Sequence, residues 1–544
     1  MRPAPAEIEL LRLLAEMPFL DRLEMASISG RSRGAVYRSV EVLEQERLAE
    51  SIPHTAELQP PTRRYCLTAD GLRRLAEVAG GTVDDLLRRF PASAHWRRIL
   101  LDRLDAVAVI YRLASVIAGI ARPLRLRLFR TGPLDAALLL PGGRSLGVVR
   151  QGPTADRTAF AKRLWRLGQG PLPGAVLVLT SDQLRLRHAR GLLARAPVNA
   201  LLALEQDAAL AGPEHRVWRP PTGSAVLDLG HALERLRPGG GVPEEATPSK
   251  ATLPGDLAAD ARRALPAVLK PAEKRALDRL AGWPWISQRD LAGLLGVSQT
   301  RVSRTVKLLE GLGLVTRPSA AGGRLALTDR GLALLSRRDR ASVGVARRRW
   351  SVSPLDPGAG LDWRNVSGGR SRQLLRNLDH TAAVHGFLAR LSNQARTLGW
   401  EAVQLDPPHR ASRHFRHEGA LRSLYPDAFG IFSRGPVTWA FFLEWERRAV
   451  RPATMAQRLA PYLRYYASHR PTDDHGVRPD VLVVFDGDIA ATHFLNLAER
   501  EMSRTGVVVP LWVSHREAVQ TLGPLGRVWL SPGDWEPSML VLSQ

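Results

Sequence analysis

The sequence predicts a multidomain chain of α+β and α/β type: two helical domains, each carrying a short β-ribbon, and each followed by an α/β domain. Three observations carry that expectation. The chain has 544 residues, more than one hydrophobic core organises at roughly 100–200 residues per domain. Apolar and charged fractions of 44% and 24% are those of a globular protein and exclude a chain that is disordered throughout. Most decisively, the sequence repeats itself.

Seven segment pairs recur in the same order. MPFL at 17–20 aligns with WPWI at 283–286, and GRSRGAVYRSVEVLE at 30–44 with GVSQTRVSRTVKLLE at 296–310. YCLTADGLRRLA at 65–76 aligns with LALTDRGLALLS at 325–336, and LLDRLDAVAVIYRL at 100–113 with LLRNLDHTAAVHGF at 374–387. PLDAALLL at 133–140 aligns with YPDAFGIF at 425–432, GAVLVLTSDQ at 174–183 with DVLVVFDGDI at 480–489, and AGPEHRVWRPP at 211–221 with LGPLGRVWLSP at 522–532. Chance explains one such pair, not seven in series, so the chain reads as a tandem duplication.

Charge narrows the partner. Against 53 Asp and Glu stand 77 Lys and Arg, a net charge of +24, which suits a polyanion and nucleic acid first. Arginine bias of a GC-rich genome accounts for part of the excess, but it would spread evenly, and the charge does not. The single cysteine, Cys66, excludes a disulfide framework and a multi-cysteine zinc site, and fits a reducing cytoplasm. The N-terminus lacks a signal-peptide pattern. The most apolar stretch, 104–121, is interrupted by Asp105 and Arg112, so no membrane span is expected.

Residues 1–90 read as three helices and a ribbon, with Ser32, Arg33, Val36, Tyr37 and Arg38 in the third helix. Residues 1–75 carry 11 basic and 11 acidic side chains, a neutral copy. Residues 95–237 turn α/β. Asp135 stands alone there: no Asp or Glu occurs from 136 through 155, and the strand matching FFLEWER reads LGVVRQG. One carboxylate cannot hold a catalytic metal, so this copy is expected to be catalytically dead. Its 16 basic and 5 acidic residues over 101–200 suit a domain that holds nucleic acid without cutting it. Residues 238–265, rich in Pro, Gly, Ala and Glu, read as a linker.

Residues 266–340 are the second helical domain. AEKRALDRLAG places Ala276, Leu277 and Leu280 on one face. Ser287 caps the next helix and Gly296 turns the chain. Ser298 caps a third, in which Val302, Val306 and Leu309 form the buried face. Gln299, Thr300, Arg301, Ser303, Arg304 and Lys307 occupy the rest. LVTRPSAAGGRLALT then makes two short strands around a Gly-rich tip, with Arg317 and Arg324 in reach of phosphates. With 17 basic and 6 acidic residues over 270–350, this copy should dominate duplex affinity, which scales with phosphates neutralised. Residues 341–369 read as a basic linker. The tract RRDRASVGVARRRW at 337–350 either tracks phosphates or is a solvated basic loop.

Residues 370–535 form the second α/β domain, ahead of a tail at 536–544. One helix, QLLRNLDHTAAVHGFLARLSNQA, leads to the strands WEAVQL, LYPDAFGIF and TWAFFLEWERR. A helix, the strand VLVVF, a further helix and GVVVPLWV follow. Asp427 lies on one hairpin strand and Glu444 and Glu446 on the next, where i and i+2 share a face. Mg²⁺ or Mn²⁺ needs two or three such oxygens to polarise a phosphate and acidify a water. Asp427, Glu444 and Glu446 are therefore the catalytic and metal candidates, with salt-bridge partners for the arginines as the plain alternative.

The helix, turn, helix and ribbon closing in LTDRG resemble the winged helix-turn-helix family in its MarR-like form. The resemblance implies that the third helix enters the major groove N-terminus first, with Ser298, Gln299, Thr300, Arg301, Arg304 and Lys307 near base edges or phosphates. For the first copy, a weaker DNA contact through Arg33 and Arg38 and a dimerisation or docking role stay open. The strand–hairpin–strand–helix pattern carrying Asp427 and Glu444 resembles the PD-(D/E)xK nuclease-like fold. That motif ends in Lys. Only Arg447 or Arg448 stands nearby here, and arginine does not release its proton to act as a base, which leaves cleavage open.

A winged helix followed by "LDHTAAVHGFL", "PDA", "LEWERR" and "QRLAPYLRYY" resembles the replication-relaxation family of plasmid and integrative-element proteins. Its pattern falls on His380, Asp427, Glu444 and Glu446, and Tyr462 and Tyr465, with E-x-E in place of E-x-D. The resemblance implies a role in plasmid replication and DNA relaxation. Double-stranded DNA is the expected partner; replication or transfer proteins and a homodimer are left open. Two other functions also stay open: a Mg²⁺-dependent nicking nuclease, and a transcriptional regulator whose α/β domains only dimerise. No cofactor is fixed by the residues alone. His380 and His385 read as helix histidines rather than ligands. His409, His414 and His417 lie in an Arg-rich insertion and suit phosphate better than zinc. No ATP-binding loop occurs, since GGGV at 239–242 lacks the following Lys-Ser/Thr.

Overall fold

Ser32 and Ser298, at matching places in the repeat, start their helices in the same way. Ser32 Oγ accepts from the Ala35 N–H and Ser298 Oγ from the Arg301 N–H, each at 3.3 Å, which satisfies a helix-end donor. The glycines just upstream, Gly30 and Gly296, end the preceding helices at φ 74° and 68°, a left-handed conformation that costs glycine nothing.

The computed structural model describes residues 3–234, 236, 238, 240–245, 251–263, 265–318, 321–446 and 452–540. Arg447 and Arg448, the ribbon tip at 319–320, part of the expected linker and the last four residues of the tail lie outside them. Two compact units emerge: Met1–Lys274 with Ala333–Val343, and Arg275–Leu332 with Gly344–Gln544. No helix among the described residues is long and apolar enough to cross a membrane.

Unit one begins with helices Pro5–Glu16, Arg22–Ser29 and Arg33–Gln45. Leu10, Leu11, Leu14, Val36, Val40 and Leu43 are fully buried between them. Strands β1 (Ala49–Ala56) and β2 (Gln59–Leu67) pair antiparallel, and helices Ala69–Ala79 and Val83–Arg89 follow. A five-stranded sheet comes next: β3 (Arg125–Leu128), β4 (Ala136–Leu140), β5 (Arg144–Gln151), β6 (Ala175–Thr180) and β7 (Ala200–Leu204), in that spatial order. The first three strands pair antiparallel and the last three parallel. Strand alternation splits the core. Ala136, Leu138, Val148 and Leu177 pack with the helix Leu104–Ile120. Ala137, Val149, Val176 and Val178 pack with Phe160 and Leu164 of one helix and Leu186 and Ala189 of another.

The expected linker at 238–265 is not an open tether. It includes the helix Leu257–Arg263, and Leu257 joins the core of unit one. Arg97 donates to the Gly255 carbonyl at 2.8 Å. Leu253 packs against the same core. The tract at 337–350 is not a free basic loop either: Arg338 and Asp339 are buried, and Val343–Trp350 is helical.

Unit two contains helices Gln288–Leu295 and Gln299–Gly311, then β8 (Val315–Thr316) paired with β9 (Ala326–Leu327). This ribbon is much shorter than β1–β2. The glycine of the closing LTDRG has a steric reason. A Cβ on Gly331 would strike the Leu314 carbonyl, as one on Gly71 would strike that of Leu48. Thr328 Oγ1 meanwhile donates to Gly313 O at 2.6 Å and accepts from the Gly331 N–H at 3.1 Å.

The α/β part of unit two holds β10 (Glu401–Asp406), a separate ribbon of β11 (Arg413–His417) and β12 (Ala420–Leu424), and then β13 (Ala428–Arg434), β14 (Val437–Glu446), β15 (Asp480–Phe485), β16 (Leu511–His515), β17 (Trp529–Ser531) and β18 (Asp534–Ser538). The sheet order is β10-β13-β14-β15-β16-β17-β18. Its first five strands repeat the pairing senses of β3 to β7. Two features differ from expectation. The helix over 373–395 breaks at Asn377 (φ −114°, ψ 45°) into Gly369–Arg376 and Leu378–Thr397, at a residue whose side chain competes for backbone hydrogen bonds. Strands β17 and β18 were not legible as strands, being short and flanked by Gly and Pro.

Candidate functional site: an exposed helix face and a carboxylate cluster

Helix Gln299–Gly311 buries Val302, Val306 and Leu309 and turns its other face outward. Ser298, Gln299, Thr300, Arg301, Arg304 and Lys307 are all exposed. Three cations thus lie on one solvent face, on a helix whose first turn offers hydroxyl and amide groups. In the matching helix of unit one, Arg33 and Arg38 are exposed, but Ala35 and Glu41 stand where Arg301 and Lys307 stand in the second copy. The wing arginines divide. Arg317 is exposed and lies 3.3 Å from Glu310. Arg324 is half-buried and donates to the Trp285 carbonyl at 3.3 Å, holding the base of the ribbon.

The carboxylates gather at the β13–β14 edge. Ala428 pairs with Leu443, so Asp427 faces Glu444. Asp427 Oδ2 accepts from the Trp445 N–H at 2.9 Å, and Oδ1 lies 3.0 Å from His380 Nε2. Glu444 accepts from the Tyr462 hydroxyl at 2.7 Å, and Glu446 lies 3.0 Å from the Arg458 guanidinium. Burial, and then the Asp427 charge, push the Glu444 carboxyl well above the usual carboxylate range. Burial raises Glu446 as well, against the pull of Arg458. His385 packs edge-on to Trp283, with ring centroids 5.5 Å apart. Burial pushes it down to about 3, so it is a neutral core histidine.

Sequence reasoning brought Asp427, Glu444 and Glu446 to one site, and they are there. It missed Arg458, which sits on the following helix Pro452–Tyr466 and whose signal was only its place one turn before Tyr462. Mg²⁺ or Mn²⁺ does not fit this arrangement. A hard cation needs several carboxylate oxygens turned to one point, whereas Glu444 accepts from a phenol, Glu446 is paired with a guanidinium and both Asp427 oxygens are hydrogen-bonded. Among the described residues, no group of three or more His, Cys, Asp or Glu is arranged to hold a metal ion.

In unit one, Asp135 Oδ2 accepts from the Arg150 N–H and from Arg163, each at 2.6 Å, while Oδ1 accepts from Arg340 at 2.8 Å. Those guanidiniums hold its carboxyl well below the usual range. Arg150 itself bridges Glu205 at 2.7 Å and Asp339 at 3.1 Å. Val149 and Gln151 stand where unit two has Glu444 and Glu446. Sequence reasoning missed Arg163 and Arg340 here, because nothing local marks them as partners of Asp135.

The capped helices, left-handed glycine turn and closing ribbon within 271–327 form a winged helix-turn-helix, a class of DNA-binding domain. Residues 269–325 match the model of the MarR family. No curated protein and no solved structure matches the chain.

Proposed function

We propose that this chain is a double-stranded-DNA-binding protein whose second winged helix is the main duplex reader, and whose α/β domains hold DNA or partners without cutting. One observation carries it: Arg301, Arg304 and Lys307 stand exposed with Ser298, Gln299 and Thr300 on the outer face of a helix, inside the segment similar to the MarR family. Such a face offers bidentate donors to guanine and charge to phosphate. The Tyr462-bound Glu444 and the guanidinium-bound Asp135 support the non-cutting part. The resemblance to replication-relaxation proteins assigns the binding to plasmid replication and DNA relaxation on a mobile element. Footprinting on plasmid DNA tests this. Protection centred on a replication origin, lost in Arg301→Ala with Arg304→Ala, is the expected result.

The similarity to the MarR family favours a second reading, transcriptional regulation. Protection confined to a promoter, with transcription changed and plasmid copy number unchanged by the same variant, would establish it instead.

A further inference from the structure

We infer that unit one carries a second anion-binding surface: an open groove that takes a single nucleic-acid strand by its phosphodiesters, independently of duplex reading by the second winged helix. The groove holds about 750 Å³, within the ~300–1,000 Å³ range of ligand pockets, so its charge rather than its size points to the ligand. Six arginines line it. Arg12 comes from helix Pro5–Glu16, Arg88 and Arg89 from the last turn of Val83–Arg89, Arg125 and Arg127 from the edge strand β3, and Arg130 from the loop that follows. Arg125 and Arg127 point outward while Leu126 and Leu128 point into the core, so the alternation of one strand aims two cations at the groove.

Two carboxylates line the same groove, and neither offsets this charge freely. Glu16 accepts from the Leu126 N–H at 3.0 Å, tying the first helix to β3. Glu245 is more informative. Its carboxylate accepts from three successive backbone N–H groups, of Arg130 at 2.9 Å, Thr131 and Gly132 at 2.8 Å, and from the Thr131 hydroxyl at 3.0 Å. Its other neighbour is the Arg130 guanidinium at 3.6 Å. Consecutive N–H groups converging on one anion make a nest, the device that seats phosphates elsewhere, and carboxylate and phosphate oxygens accept the same donors. Glu245 therefore occupies a built anion seat, which a strand phosphate competes for.

The apolar part of the lining selects the strand over the duplex. Leu139 is 40% exposed and Phe90 half-buried among the arginines. A duplex presents stacked pairs behind its phosphates, whereas a single strand presents phosphates and unstacked bases together, which is what a cationic groove with apolar platforms accommodates.

The test is fluorescence anisotropy of the full chain with a labelled oligothymidine of about 16 nucleotides and, in parallel, a blunt duplex, across a salt series. Arg125→Gln with Arg127→Gln should lower strand affinity about tenfold or more and reduce the salt slope by about 1.4, at 0.7 per phosphate lost. Arg12→Gln with Arg88→Gln, on exposed helix positions, should act in the same direction and serves if the strand variant folds poorly. Glu245→Gln should tighten strand binding. Duplex affinity should fall only in Arg301→Ala with Arg304→Ala. No oligothymidine binding by the wild type, an unchanged affinity and slope in both groove variants, an unchanged affinity in Glu245→Gln, or an equal loss on the duplex overturns the assignment. Retained duplex affinity in Arg301→Ala with Arg304→Ala sinks the winged-helix reading alone and leaves the groove standing.

Discussion

Asp135 in unit one and Asp427 in unit two are held by the same backbone pattern. Their N–H groups donate to Val148 and Leu443 at 2.7 and 2.9 Å, and their Oδ2 atoms accept from the N–H groups of Arg150 and Trp445 at 2.6 and 2.9 Å. What differs is how the negative charge is met. Around Asp135 it is met by Arg163 and Arg340. Around Asp427 it meets two more carboxyls and His380, and burial, then the Asp427 charge, raise the Glu444 carboxyl.

Duplex binding should be asymmetric between the copies. Arg301→Ala with Arg304→Ala removes contacts worth about 1–3 kcal/mol each where they reach bases, so affinity should drop tenfold or more. Arg33→Ala with Arg38→Ala, on a neutral domain, should cost about threefold at most. Gel-shift titration at one fixed salt concentration decides it, and equal losses would contradict the asymmetry.

Supercoiled plasmid incubated with the wild type and Mg²⁺ or Mn²⁺ should stay unnicked, because among the described residues no three His, Cys, Asp or Glu are arranged to hold the ion. Nicking that disappears in Glu444→Ala with Glu446→Ala would falsify the non-cutting assignment.

Asp135 and Asp339 are both held well below the ordinary carboxylate range by arginines. Groups with depressed folded values stabilise the protein above their unfolded value, about pH 3.9, and lose that stabilisation as pH falls below it. Urea midpoints should therefore decline steeply below about pH 4. Asp135→Asn leaves Arg163 and Arg340 without their anion. It should cost about 3 kcal/mol or more at pH 7 and flatten the acid decline.

Glu444 runs the other way. Its folded value is raised, so its contribution is fully present below its unfolded value, about pH 4.3, and is lost as pH rises toward the folded one. Glu444→Gln keeps an acceptor for Tyr462 without the charge. It should match or exceed the wild type in stability at pH 8, with a smaller fall between pH 5 and pH 8; a less stable variant at pH 8 would count against a raised Glu444 carboxyl.

Glycine substitutions separate close approach from simple flexibility. Gly331→Ala places a Cβ against the Leu314 carbonyl and should lower both stability and duplex affinity, by about 1–3 kcal/mol in stability. Gly34→Ala, in a helix with nothing within 4 Å of the added carbon, should stabilise by about 0.5–1 kcal/mol. Thermal unfolding of the two variants gives opposite signs if this is right.

Local signals in the sequence reached far. Ser287 and Ser298 as caps, Gly296 as a turn, and the i, i+2 spacing that puts Glu444 and Glu446 on one face all depend on residues within a few positions of one another, so they can be read along the chain. The repeat likewise made matching strand segments of the two α/β domains legible, and the loss of the first copy's carboxylates. The sequence by itself thus determined the elements, the exposed cationic helix and the residues that meet at the carboxylate site. Tertiary structure alone decided their chemical state. Arg340 reaches Asp135 across 205 residues, Glu245 reaches Thr131 across 114, and the Glu444 carboxyl is raised because of what buries it. A side chain's charge depends on its desolvation and its partners in space, and spacing along the chain carries neither.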